Sequence, residues 1–146
     1  MMPNSNWPWP NFPRRELECK CGCGRSAMNH DYMNRIQRAR TLVGFAVPLT
    51  SAYRCPNHDR VVGGTGSGPH TLGRATDVNL WGIQLLIWIL ALMVVGIFRL
   101  PNWKGRKGWG GIGLMQKSGS PRRKRFIHAD NLRPDERHGR PGIWTY

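Results

Sequence analysis

Three residues on either side of a long apolar run limit what this chain can fold into. His70 and Asp77 stand in the pattern His-x-x-Gly-x-Ala-x-Asp. His128 stands in Phe126-Ile127-His128-Ala129-Asp130, an apolar-flanked stretch with strand character. Between Asp77 and His128 runs the segment 80–98, in which Gln84 is the one strongly polar side chain. Its length and apolarity reach what a transmembrane helix needs. The residues after it, Arg99, Lys104, Arg106 and Lys107, are like a cytoplasmic flank. A spanning helix, however, would put residues 77 and 128 on opposite sides of a bilayer. If the two share a site, the run is a core helix packed on a sheet, and Gly82 and Gly96 suit its ends. Membrane contact through 80–98 is thus the disfavoured reading.

Two histidines and a carboxylate suit a catalytic zinc site, which takes three protein ligands and leaves the fourth position for water. The ion lowers the pKa of that water to about 7, which makes a nucleophile at neutral pH. A lone histidine in a loop is ordinarily just solvated. His70 gains weight from Asp77 and from Gly73 and Ala75 between them, whose small size lets the backbone turn tightly while both side chains converge. Strand alternation puts Asp130 on the same face as His128. Asp130 could join that site, or could cap a turn before Asn131. Arg54 suits a substrate carboxylate or an oxyanion, or is a surface arginine. His30, His58 and His138 have no comparable companions and read as surface or local hydrogen-bonding residues.

The segment 1–13, rich in Pro, Asn and Trp, reads as an extended arm lying over the surface. A short Cys/Gly-rich turn or hairpin follows at 14–25. Residues 28–43 have apolar side chains at Met28, Tyr32, Ile36, Leu42 and Val43, roughly helical spacing, and Asn29 or Asp31 could cap the start. Strands are expected at 45–53, 77–80, 108–115 and 125–130. The glycine-rich stretch 56–69 reads as a loop, where function is commonly carried.

The chain has 22 Lys and Arg against 8 Asp and Glu, a net charge of +14. Such a chain is drawn to polyanions, whether nucleic acid, anionic membrane or a carboxylate-rich bacterial wall. The aromatics do not interleave with the basic run 104–125 as a nucleic-acid motif would. The N-terminus lacks the pattern of a secretory signal, so the reading is a chain made in the cytoplasm. Cys19, Cys21 and Cys23 alternate, unlike common zinc knuckles. With Cys55 they could form disulfides, bind a structural zinc or be inert thiols; the missing signal favours reduced thiols.

Ser51-Ala52-Tyr53-Arg54-Cys55-Pro56-Asn57-His58, then Val62-Gly63-Gly64, then Pro69-His70-Thr71-Leu72-Gly73-Arg74-Ala75-Thr76-Asp77-Val78, resembles the D-Ala-D-Ala metallopeptidase family. That family holds zinc DD-carboxypeptidases and phage L-alanyl-D-glutamate endolysins, and shares a fold with the hedgehog signalling domain. Gly110-Gly111-Ile112-Gly113 and Phe126-Ile127-His128-Ala129-Asp130 resemble its closing strands, and Trp144 its terminal aromatic patch. The resemblance covers roughly 14–146. It implies a single small α+β domain, an antiparallel sheet with flanking helices. It implies Zn2+ held by His70, Asp77 and His128, with Arg54 positioning the substrate or the oxyanion. It implies hydrolysis of a peptide bond in a peptidoglycan stem, at the bacterial wall or, for a phage protein, the host periplasm or wall. Anionic wall polymers would be secondary partners, no specific nucleic acid is expected, and nothing demands an oligomer. Many members carry a catalytic Asp or Glu three residues before the last zinc histidine. Here that position is Arg125, so Asp130 is the nearest replacement base, with Glu136 or Asp135 behind it. The displaced base keeps open a non-catalytic zinc-fold protein that binds the wall, and the charge keeps open a nucleic-acid-binding module.

Overall fold

The computed structural model describes residues 6–101, 104–117, 119, 121–136 and 142–146; His138 lies outside the described residues. In chain order the elements are α1 (Arg14–Leu17), α2 (His30–Val43), β1 (Leu49–Ser51), α3 (Pro56–Val61), β2 (Ala75–Val78), α4 (Gly82–Val94), β3 (Gly111–Met115), β4 (Phe126–Asp130) and β5 (Ile143–Thr145). Short 3-10 turns lie at Arg122–Lys124 and Pro134–Glu136. The chain has the expected α+β class.

The strands form one five-stranded sheet in the order β1-β2-β4-β3-β5. The first three pairings are antiparallel, as expected, but β5 runs parallel to β3, so the sheet is mixed. Ile143-Trp144-Thr145 is too short to show a period of its own. The register places one residue of each strand in a single row: Ser51, Asp77, His128, Gly113 and Trp144. Residues directly opposite across a pair share a face of the sheet, so this row is one strip of one face.

The other face is core. It carries Thr76, Val78, Ile112, Ile127 and Ala129, all buried. Helix α2 lies on it, and the buried Tyr32 hydroxyl donates to the carbonyl of Ala129 at 2.7 Å and meets the Thr76 hydroxyl at 3.0 Å. The helix forms because Asn29 caps it, its Oδ1 accepting from the Tyr32 N–H at 2.9 Å. Tyr32, Met33, Ile36 and Ala39 then line one buried stripe. Gly44 ends it in the left-handed region at φ 73°. Leu42, expected on that stripe, falls on the solvent side.

Helix α4 packs against α2 and resolves the apolar run. Leu85, Trp88, Ala91 and Leu92 are buried, while Ile83, Leu86, Leu90 and Val94 face solvent. No helix among the described residues is long and apolar enough to cross a membrane. Three other expectations are corrected. The segment 6–13 is built of turns rather than extended, and Trp9 and Phe12 belong to the core. Trp9 Nε1 donates to Asn34 Oδ1 on α2 at 2.9 Å, which ties the segment down. The expected loop 56–69 opens with helix α3, which begins at Pro56 behind a cysteine cap, Cys55 Sγ accepting from the His58 N–H. Cysteine is not among the usual capping residues, and six residues carry no readable periodicity. The strand expected at 45–53 is only Leu49–Ser51.

Candidate active site

The row of the open face is lined up with a cleft of about 240 Å³, bordered by Arg54, Asp59, His70, Asp77, His128 and Trp144 among others. Asp77 and His128 are brought together by register alone, being partners across β2 and β4. His70 arrives from the loop before β2. There Gly73 sits at φ 66°, and a Cβ on it would lie 2.2 Å from the carbonyl oxygen of Ala27. Only glycine lets the chain turn so tightly against the start of α2.

The three side chains converge as the sequence implied. His70 Nε2 and His128 Nδ1 lie 3.2 and 2.9 Å from the same oxygen, Asp77 Oδ1, and 3.2 Å from each other. A tetrahedral zinc with bonds of about 2.0–2.1 Å sets its ligands about 3.3 Å apart, so the triangle fits such an ion. The remaining ring nitrogens fit too. His70 Nδ1 donates to the Ala52 carbonyl at 2.7 Å, because a carbonyl only accepts, and in the neutral ring, the form a metal binds, this leaves Nε2 with the lone pair. His128 Nε2 lies 3.0 Å from Asp130 Oδ2. Carbonyl and carboxylate partners of this kind fix the tautomer of metal-binding histidines.

Burial alone would raise the pKa of Asp77, but the charge of His70 and hydrogen bonds from His128 and His70 outweigh it and hold the carboxyl well below its ordinary value. Burial would likewise lower His128, but its hydrogen bonds to Asp130 and Asp77 outweigh this and raise it to about 9. Two buried carboxylates thus grip one imidazole from both edges.

Arg54 has every nitrogen type engaged. Nε donates to Ser51 Oγ at 3.0 Å, one terminal nitrogen meets Asp77 Oδ2 at 3.0 Å and the other Asp59 Oδ1 at 3.4 Å. It therefore turns the Asp77 carboxylate so that Oδ1 faces the histidines. Asp59 was not singled out from sequence. It is buried, its Oδ2 accepts from the Gly66 N–H at 2.9 Å, and a Cβ at Gly64 would overlap it. The Gly63-Gly64 pair next to it in the motif was the available signal.

Asp130, the replacement base expected after Arg125, lies beside His128. One of its oxygens is on His128 Nε2, the ring edge away from Asp77, and the other accepts from the Leu132 N–H at 3.1 Å. This is the position of an orienting partner of His128. The fallbacks do not reach the cleft either. Glu136 is paired with Arg74 at 2.8 Å, and Asp135 lines a separate cavity beside Trp109. Among the described residues, which include all eight Asp and Glu, the carboxylates lining the cleft are Asp59 and Asp77. His30 stacks near Trp9 at 5.0 Å, away from the site. The cleft's far side is aromatic: Trp144 lies over His128 at 5.4 Å and Tyr146 packs on Phe126 at 5.1 Å. Gly113 makes room for that wall, since a Cβ there would stand 2.8 Å from the Trp144 ring.

The family model of Peptidase M15 matches residues 10–89, more than half of the chain. The match includes Arg54, His70 and Asp77; His128 is supplied from outside it by the sheet register. No curated protein and no solved structure matches the chain. The matched segment and the fold agree, and the chain belongs to the Peptidase M15 family and is a metallopeptidase.

Proposed function

We propose that the protein is a zinc-dependent peptidase that hydrolyses a peptide bond in the stem peptide of peptidoglycan. The observation that supports this most is the triangle of His70 Nε2, His128 Nδ1 and Asp77 Oδ1, each pair about one zinc-ligand spacing apart and open to a cleft. When bound there, zinc supplies Lewis acidity and lowers the pKa of water to about 7. The chain's own residues do the rest. Ala52 and Asp130 hold the two imidazoles with their lone pairs toward the centre. Arg54 fixes Asp77 and borders the cleft, where its positive charge can meet a developing oxyanion or a stem-peptide carboxylate. Trp144, Tyr146 and Phe126 give an apolar wall for the peptide and restrict water. A net charge of +14 suits a polyanionic sacculus, and the reading places the protein at the bacterial wall as a monomer.

The test is mass spectrometry of purified peptidoglycan incubated with the protein, with zinc and with a chelator. Zinc-dependent fragments with new termini support the reading and identify the bond. No fragments from several wall chemotypes, from protein that holds zinc, overturn it. The second reading, a wall-binding protein without turnover, is favoured by one observation: both carboxylates lining the cleft are engaged in ion pairs with Arg54.

A further inference from the structure

We propose that Cys19, Cys21, Cys23 and Cys55 form a second metal site, a tetrahedral all-thiolate site for a structural zinc, separate from the His70–Asp77–His128 centre. All four cysteines are free, and their sulfurs all lie within 4.8 Å of one another. Cys19 Sγ is 3.4 Å from Cys21 Sγ, which is 3.7 Å from Cys55 Sγ. Zinc–sulfur bonds of about 2.3 Å in a tetrahedron set the sulfurs about 3.8 Å apart. A disulfide would need about 2.05 Å between one pair and would leave the other two thiols unexplained.

The convergence is built, not incidental. On a strand, residues 19, 21 and 23 would share one face of an extended ribbon, spread along it. Here the chain instead curls on itself. The Cys19 N–H donates to the Arg25 carbonyl at 2.8 Å, and Gly22 and Gly24 take positive φ values of 85° and 73°. The loop so formed presents three sulfurs to Cys55, which follows β1 and caps α3. Backbone amides are aimed at the sulfurs: the Cys55 N–H donates to Cys19 Sγ at 3.3 Å and the His58 N–H to Cys55 Sγ at 3.4 Å. Amide donors to sulfur offset the charge of metal-bound thiolates, as outer partners of metal ligands do. Cys19 and Cys55 are buried while Cys21 and Cys23 are exposed, so the site is anchored from within and open to an arriving ion. Four soft ligands and no oxygen donor select zinc over hard cations. On binding, the thiol protons leave to solvent and no atom changes oxidation state.

The role follows from what Cys55 adjoins. Arg54 precedes it, its N–H donates to the His70 carbonyl at 3.3 Å, and the Ala52 carbonyl holds His70 Nδ1. The Tyr53 N–H reaches back to the Leu17 carbonyl at 3.3 Å. A metal on the four sulfurs would clamp the segment 52–55 between α1 and α3, and so fix the residues that orient His70 and Asp77.

The test uses the full chain and reads the metal directly. Purified wild-type protein should hold two zinc ions per chain, His70→Ala one, and the Cys21→Ser/Cys23→Ser double variant one. Cobalt substituted into wild type and into His70→Ala should give thiolate-to-cobalt charge-transfer bands and the strong visible bands of a tetrahedral site, and the double cysteine variant should lack them. The cobalt spectrum of wild type decides the matter even if the cysteine variant does not fold. A cobalt spectrum without thiolate charge transfer, an intact mass showing disulfides, iron with acid-labile sulfide in place of zinc, or equal alkylation of all four thiols with and without zinc would each overturn the proposal. Loss of metal from His70→Ala alone bears on the catalytic centre and leaves this site standing.

Discussion

Asp77 and His128, which are 51 residues apart in sequence, are direct partners across β2 and β4, and their side chains meet at 2.9 Å. The same row places Ser51, which holds Arg54, on one side of them, and Gly113 with Trp144 on the other. The site is therefore written in hydrogen-bond register more than in any single loop.

Asp130 meets His128 at the ring edge away from Asp77. Asp130→Asn should weaken zinc binding by about 10–100-fold, the usual cost of losing an outer partner of a metal-bound histidine. With zinc saturating, turnover should largely return. Competition against a chromophoric chelator measures the first and initial rates at high zinc the second. Unchanged affinity with abolished turnover would instead make Asp130 a proton carrier.

His70→Ala removes one ligand of three from a position that also anchors Ala52. Zinc-dependent cleavage should disappear while circular dichroism stays that of a folded chain. Full activity in this variant would remove His70 from the metal set.

In the metal-free protein, His128 is raised from 6.5 to about 9, with hydrogen bonds to Asp130 and Asp77 overcoming burial. Its stabilising contribution is thus fully present below pH 6.5 and is lost as the pH rises through about 9. Asp77 is lowered from 3.8, so its contribution is present above that value and is lost as the pH falls below it. The Tm of chelated protein should accordingly decline from pH 6.5 toward 9. A metal needs the Nδ1 lone pair, so binding near neutral pH should expel a proton. Calorimetry in two buffers of different ionisation enthalpy reads that proton; no buffer dependence would contradict the assignment.

Gly113 faces the Trp144 ring, with room for no Cβ. Gly113→Val should displace the indole, cost about 1–3 kcal/mol as overpacking does, and open the aromatic side of the cleft. Thermal melts and a red-shifted tryptophan emission would register both effects.

The two faces of α4 should behave oppositely. Trp88 is fully buried, and Trp88→Ala should cost about 3–5 kcal/mol. Leu90 is 61% exposed, and Leu90→Gln should stay within about 0.5 kcal/mol of wild type. Urea melts separate the two. A large loss at Leu90 would mean that something covers this face in solution.

Much of the site was legible because its chemistry is local. His70 and Asp77 are close in the chain with small residues between, and His128 sits in a strand-like run whose apolar neighbours mark the core face. Helix α2 announced itself by period and by Asn29. What stayed hidden depends on where distant groups come to rest. Asp59 looks like any loop carboxylate until Arg54 folds onto it. The spacing of Asp130 told which face it shares with His128 but not which ring edge it would meet, because a χ2 choice is not encoded in spacing. Alternation of Cys19, Cys21 and Cys23 pointed away from a knuckle, since glycines at 22 and 24 undo the geometry that alternation assumes. Strand β5 is too short for any pattern, and it exists because β3 offers it an open edge.

The row across the sheet also makes the site a proofreader of its own fold. A one-residue slip between β2 and β4 would turn His128 to the opposite face from Asp77 and hand the core a charge. Any occupant that needs both side chains binds the in-register sheet alone, and by mass action it draws mispaired chains toward the correct one. Metal availability during folding, and not only during turnover, then decides how much of the population is competent.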